Sequence, residues 1–155
     1  MLSFDHLTVA AATLLLVLLS VFVHYEASFR LRRILQRRQS LRRRARMLIL
    51  IIGLFFAHVG EVGLFGFGGW LLYNYGGMAS NGAIGGLETS AELLDFFFLS
   101  IASYTTVGFA EAYPLEALRF LFGVESLIGF MLITWSASLS FLEMQHYWQN
   151  MEQDK

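Results

Sequence analysis

Hydrophobic positions in this chain gather into three long runs and one short one, separated by polar or glycine-rich stretches. Leu7 to Val23 is interrupted only by Thr and Ser. Met47 to Leu72 is apolar apart from His58, Glu61 and its glycines, and Leu115 to Leu142 carries Glu125 in its interior. A helix needs about 20 mainly apolar residues to cross a bilayer, so each run predicts a membrane span. The fourth run, Leu93 to Tyr104, is shorter. As a helix rising about 1.5 Å per residue it reaches only about 18 Å, well short of the ~30 Å hydrocarbon core. It must enter and return on one side, or be buried in protein. Thr89-Ser90-Ala91-Glu92 reads as a capping box with Thr89 as N-cap, which starts this helix near Ser90 and carries it to about Ser103.

The polar intervals assign the sides. Nine arginines lie between Arg30 and Arg46, joining the first span to the second. Basic loops stay cytoplasmic, which places the N-terminus and Asn74 to Gly86 outside and the C-terminus inside. The short helix then dips in from the outer face. Leu31, Ile34, Leu35, Leu41, Ala45 and Leu48 keep helical spacing among the arginines, a pattern suited to an interfacial segment on anionic lipid headgroups. The arginines are too dense for a voltage-sensing span, and no other run offers a ladder of acidic partners. The first run lacks a basic start and a small-residue cleavage site, so it predicts a retained helix rather than a signal peptide. The division is 1–27 membrane helix, 28–46 cytoplasmic arginine-rich segment, 47–142 a unit of two spans with the short run between them, and 143–155 short cytoplasmic tail.

Composition supports this division. Of the 155 residues 56% are hydrophobic and 15% charged, against about 45–50% and about 25% in soluble domains, and mean hydropathy is +0.57. The formal charge of −1 combines an overall balance with one basic patch, not the basic excess of a nucleic-acid binder. Cysteine is absent, which excludes disulfides, thiol catalysis and cysteine metal sites. No serine–histidine, paired-aspartate or histidine-rich constellation falls on one face, so neither an enzyme nor a resident cofactor is expected.

After the short helix comes Tyr104-Thr105-Thr106-Val107-Gly108-Phe109-Ala110-Glu111. Irregular backbone at membrane depth is tolerated only where it is buried in protein or lines a polar path. Carbonyl rings stacked around an axis replace the hydration shell of a cation. Thr105-Thr106-Val107-Gly108-Phe109 resembles the selectivity filter of the potassium-channel pore-domain family, usually T-T-V-G-Y-G-D. Tyr113-Pro114 falls where bacterial members carry Tyr-Pro before the inner helix, Pro114 suits a helix start, and Gly129 lies near the usual inner-helix hinge.

The resemblance spans about Met47 to Leu142 and implies an all-α membrane protein: outer helix, re-entrant pore helix with filter, and inner helix. An extra N-terminal span is added, and four copies surround one pore. By position, Thr106 supplies a hydroxyl and a carbonyl to K+, and Val107, Gly108 and Phe109 supply carbonyls. Thr105, Ala110 and Glu111 take positions of filter support and outer mouth. Ala110 stands where the family has a second glycine, and a Cβ at positive φ costs about 1–2 kcal/mol. Phe109 replaces the commoner tyrosine, and Glu111 the usual aspartate. Passive K+ conduction is therefore the leading expectation. A weakly selective monovalent cation pore and a non-conducting assembly subunit are the alternatives.

Three intramembrane residues remain. A carboxylate at mid-membrane costs about 2.5–3.5 kcal/mol on insertion scales, so Glu125 should face protein or water. Family members often place a carboxylate behind the filter where this chain has Ala102. Glu125 either replaces that support from the inner helix, bridges helices without touching conduction, or binds ions. His58 and Glu61, three apart, share a helix face. They predict a hydrogen bond, with a pH-sensitive coupling also open; two ligands are too few for a metal site unless others converge.

Overall fold

The computed structural model describes residues 4–38, 42–76, 84–87, 90–108 and 112–153. Its helices are α1 (Phe4–Arg37), α2 (Arg43–Tyr75), α3 (Leu93–Tyr104) and α4 (Leu118–Gln153). α1, α2 and α4 are long and apolar enough to cross a membrane, and α3 is not. The chain is an all-α membrane protein, as its hydrophobic runs predict.

α1 contains no glycine or proline, and arginine is a good helix former, so the helix continues through the first half of the basic run. Arg30 Nε meets Glu26 Oε1 at 2.7 Å one turn earlier, and the Arg33 guanidinium lies 4.8 Å above the Phe29 ring. The backbone has no break at residue 28. With 34 residues α1 is about 51 Å long, roughly 20 Å more than the hydrocarbon core. At its far end, buried Leu35 packs with Leu50 and Leu54, and Leu139 lies against them. Arg46 Nη2 donates to Glu143 Oε1 at 2.7 Å, clasping α4 to the start of α2.

The short helix begins later than the sequence pattern predicts. Glu92 is its N-cap, and the Glu92 N–H donates to Asp95 Oδ2 at 2.7 Å. The two acidic residues lie beside the positive end of the helix dipole, which favours a start there. Thr89, the expected cap, lies outside the described residues. Pro114 also departs from expectation, because it does not start the inner helix. It pairs with Ile84 in a two-residue antiparallel ladder between β1 (Ile84–Gly85) and β2 (Tyr113–Pro114). Glu116, at φ +46°, then turns the chain before α4 begins. A proline has no N–H to give to a ladder, so only such an edge pairing suits it.

α1 packs on α2 and α4, and α3 sits between α2 and α4. Phe65, Phe96, Leu99, Leu118, Leu121 and Phe122 form the core at that junction. At Gly66 an added Cβ would meet the Phe96 carbonyl and Phe97 Cα at 3.2 Å, so α2 rests on the α3 backbone itself. Small residues allow such approach between membrane helices. Leu14, Leu15, Leu18 and Phe22 of α1 are exposed, forming an apolar face suited to lipid tails.

Candidate functional site

A helix ends with carbonyls that have no partner within it. At the end of α3 the following chain supplies partners. The N–H groups of Thr105, Thr106 and Gly108 donate to Ile101, Ser103 and Ala102 at 3.1, 2.9 and 3.1 Å, and the Thr105 hydroxyl donates to Ile101 at 2.7 Å. Among the described residues, the carbonyls of Thr105 to Gly108 accept no backbone hydrogen bond.

Thr106 at φ +60° and Gly108 at φ +66° both have left-handed backbone. With left-handed residues on either side of Val107, the N–H groups of Thr106 and Gly108 both reach the last carbonyls of α3. Glycine adopts this conformation freely, whereas for Thr106 it costs about 1–2 kcal/mol. The segment lies at the surface of the chain, with Val107 60% exposed. Phe109, Ala110 and Glu111 lie outside the described residues.

Glu125 is fully buried on α4. The Ser100 hydroxyl donates to its Oε1 at 2.5 Å and also lies 2.8 Å from the Val62 carbonyl. One carboxyl thus joins α4 to the middle of α3, and Ser100 carries the link to α2. Among the described residues, Glu125 Oε2 has no hydrogen-bond partner. The carboxyl reaches α3, not Thr105 to Gly108. Ala102, on the same helix, is buried. At Gly129 an added Cβ would overlap the Tyr104 carbonyl, so α4 crosses the base of α3 in direct backbone contact. α4 is continuous through this glycine.

A second polar group lies beside the base of α3. His58 Nδ1 is 3.1 Å from Glu61 Oε2, the contact that their spacing predicts. His24 and Tyr104 join them, which the sequence did not suggest. His24 Nδ1 is 2.8 Å from Glu61 Oε1, and the Tyr104 hydroxyl donates to Glu61 Oε2. His58 Nδ1 is 2.7 Å from the Tyr104 oxygen, and its Nε2 is 2.9 Å from Ser136 Oγ. His24 marks the polar edge of the first apolar run, and Tyr104 the end of the short one.

The sequence model of a family described as an ion channel matches residues 47–145, well over half the chain, covering most of α2, all of α3 and most of α4. Comparison with curated proteins and with solved structures gave no match. The helix order, the short helix that cannot span and the matched region agree, and the chain belongs to the two-transmembrane ion-channel family of the potassium-channel pore type.

Proposed function

We propose that four copies of this chain form a K+ channel in which Thr106, Val107, Gly108 and Phe109 line the filter. The carrying observation is the backbone of Thr105 to Gly108: the N–H groups of Thr105, Thr106 and Gly108 bond back to α3, while among the described residues the segment's carbonyls accept no backbone hydrogen bond. Carbonyls so arranged on each subunit supply the ring that replaces the hydration of a cation. Thr105, Ala110 and Glu111 flank this ring, and Glu125 supports the helix behind it.

A fourfold assembly also covers surface that one subunit leaves open. Leu94, Phe98 and Ile101 are 64%, 67% and 41% exposed, a stripe along one face of α3. A half-membrane helix flanked by irregular backbone does not face lipid, so other copies bury this stripe. The measurement that tests the reading is the reversal potential of purified, reconstituted protein under K+/Na+ gradients. A potential near the K+ equilibrium value is expected; absence of current would overturn it.

Ala110 favours a second reading, a weakly selective monovalent cation pore. An alanine held at the positive φ of the family's second filter glycine costs about 1–2 kcal/mol, which corresponds to about 5–30-fold in an equilibrium. On this basis Ala110→Gly raises the permeability of K+ relative to Na+. An unchanged ratio would show that the inner carbonyls alone decide selectivity.

The arginine run supports a cytoplasmic location for the segment joining α1 to α2, where anionic headgroups suit its charge. The membrane is the cell's plasma membrane, or the inner membrane of a bacterium. Because the chain has no cysteine, single-cysteine variants carry no background. Arg38→Cys is expected to react with a membrane-impermeant thiol reagent only from the cytoplasmic side, and Tyr75→Cys only from outside. The reverse pattern would turn the pore over.

A further inference from the structure

Glu61 is fully buried, and two histidines from different helices converge on it. His24 comes from α1, and His58 lies one turn before Glu61 on α2. One donor atom from each of the three can be chosen so that all lie within 4.8 Å of one another. Among the described residues Glu61 has no arginine partner, and its ion-pair contacts are to these imidazoles. A buried carboxylate needs a compensating positive charge nearby.

We propose that His24, His58 and Glu61 bind a divalent transition-metal ion of the Zn2+ class, fastening α1 to the base of the pore helix. Two imidazole nitrogens and one carboxylate oxygen suit Zn2+, Ni2+ or Cu2+, and are poorly matched to Ca2+ or Mg2+. A histidine and a glutamate at i, i+3 on one helix, completed from a neighbouring helix, is a known way to build metal sites in bundle cores. With bonds of about 2.0–2.2 Å, tetrahedral ligand atoms lie roughly 3.3–3.6 Å apart. The observed set needs to contract by about an ångström at its widest.

Its surroundings complete the site. The Tyr104 oxygen lies 2.7 Å from His58 Nδ1 and touches Glu61, so it stands where a fourth ligand or a ligand's hydrogen-bond partner belongs. Ser136 Oγ engages the opposite nitrogen of the His58 ring at 2.9 Å and lies 3.4 Å from His24 Nε2. Hydroxyl partners of this kind fix imidazole orientation around a metal. The His58 side chain is 19% exposed while those of His24 and Glu61 are fully buried, so an ion enters past His58. Tyr104 immediately precedes Thr105, and an occupied site holds the residue from which the proposed filter departs.

Metal binding is measurable whether or not the protein conducts, so this inference stands apart from the K+ reading. Purified full-length protein is stripped with a chelator and titrated with Zn2+, with Co2+ as a spectroscopic substitute. The expected results are one tightly bound ion per subunit, a raised thermal midpoint and the intense visible absorption of four- or five-coordinate Co2+. His24→Gln abolishes all three while eluting as wild type on size exclusion. Tyr104→Phe weakens binding about 10–100-fold, and His6→Gln leaves it unchanged. If His24→Gln does not assemble, the wild-type Co2+ spectrum and the His58→Gln variant decide. Failure of the wild type to bind Zn2+ or Co2+ at micromolar concentrations would overturn the proposal. So would binding retained when either histidine is replaced.

Discussion

Gly129→Ala is expected to destabilise the protein and reduce its current, although alanine is the better helix former. The added Cβ would overlap the Tyr104 carbonyl, and a backbone oxygen cannot rotate aside as a side chain can. α4 must then move away from the base of α3, where overpacking typically costs about 1–3 kcal/mol. Helix propensity returns up to about 1 kcal/mol, so the steric term wins. Gly123 on the same helix provides the control, since an added Cβ meets nothing within 4 Å in the subunit. Gly123→Ala should keep the propensity gain and raise the thermal midpoint. Thermal unfolding of both variants beside single-channel recording checks the contrast. Equal midpoints would mean that α4 and α3 do not touch at Gly129.

Glu125→Ala should alter open probability strongly, with Glu125→Gln milder. The Ser100 hydroxyl has one hydrogen and two acceptors within reach, Glu125 Oε1 and the Val62 carbonyl. When that hydrogen goes to Val62, the contact with residue 125 needs a hydrogen from the side chain of 125. A glutamine amide can supply it, and alanine cannot. Removing the partner of a buried polar group costs about 1–3 kcal/mol per subunit. That is comparable with the few kcal/mol separating conformations of a bistable element. Single-channel recording is paired with a thermal assay of both variants. Normal open probability and conductance from a destabilised Glu125→Ala protein would reduce Glu125 to a bridge between helices.

Local pattern carried much of the architecture. Span number, the shortness of α3 and the Thr-Thr-Val-Gly motif are properties of contiguous residues, and all were readable before the fold. Element ends were less legible. The arginine run has the composition of a loop, but with no glycine or proline before Arg37 the helix had no reason to stop. Thr89 to Glu92 matches the capping pattern, yet the reciprocal bond forms between Glu92 and Asp95 instead. Pro114 matched a helix start, but its pairing with Ile84 depends on a segment 30 residues away.

The polar interior belonged almost wholly to tertiary structure. His58 and Glu61 are one turn apart, so their contact follows from helix geometry. Glu61 meets His24 across 37 residues and Tyr104 across 43, and His58 meets Ser136 across 78. The partner of Glu125, Ser100, is 25 residues away on another helix. Hydropathy records that such residues lie within apolar runs and therefore need partners. It does not record how each helix is rotated about its axis, which is set by interhelical packing such as the glycine contacts at 66 and 129. By itself, the sequence determined that the chain has three runs long and apolar enough to cross a membrane, and a Thr-Thr-Val-Gly loop after a helix too short to span. The rotation and close approach of the four helices decided which polar groups meet behind that loop, because those meetings are made by side chains remote in sequence.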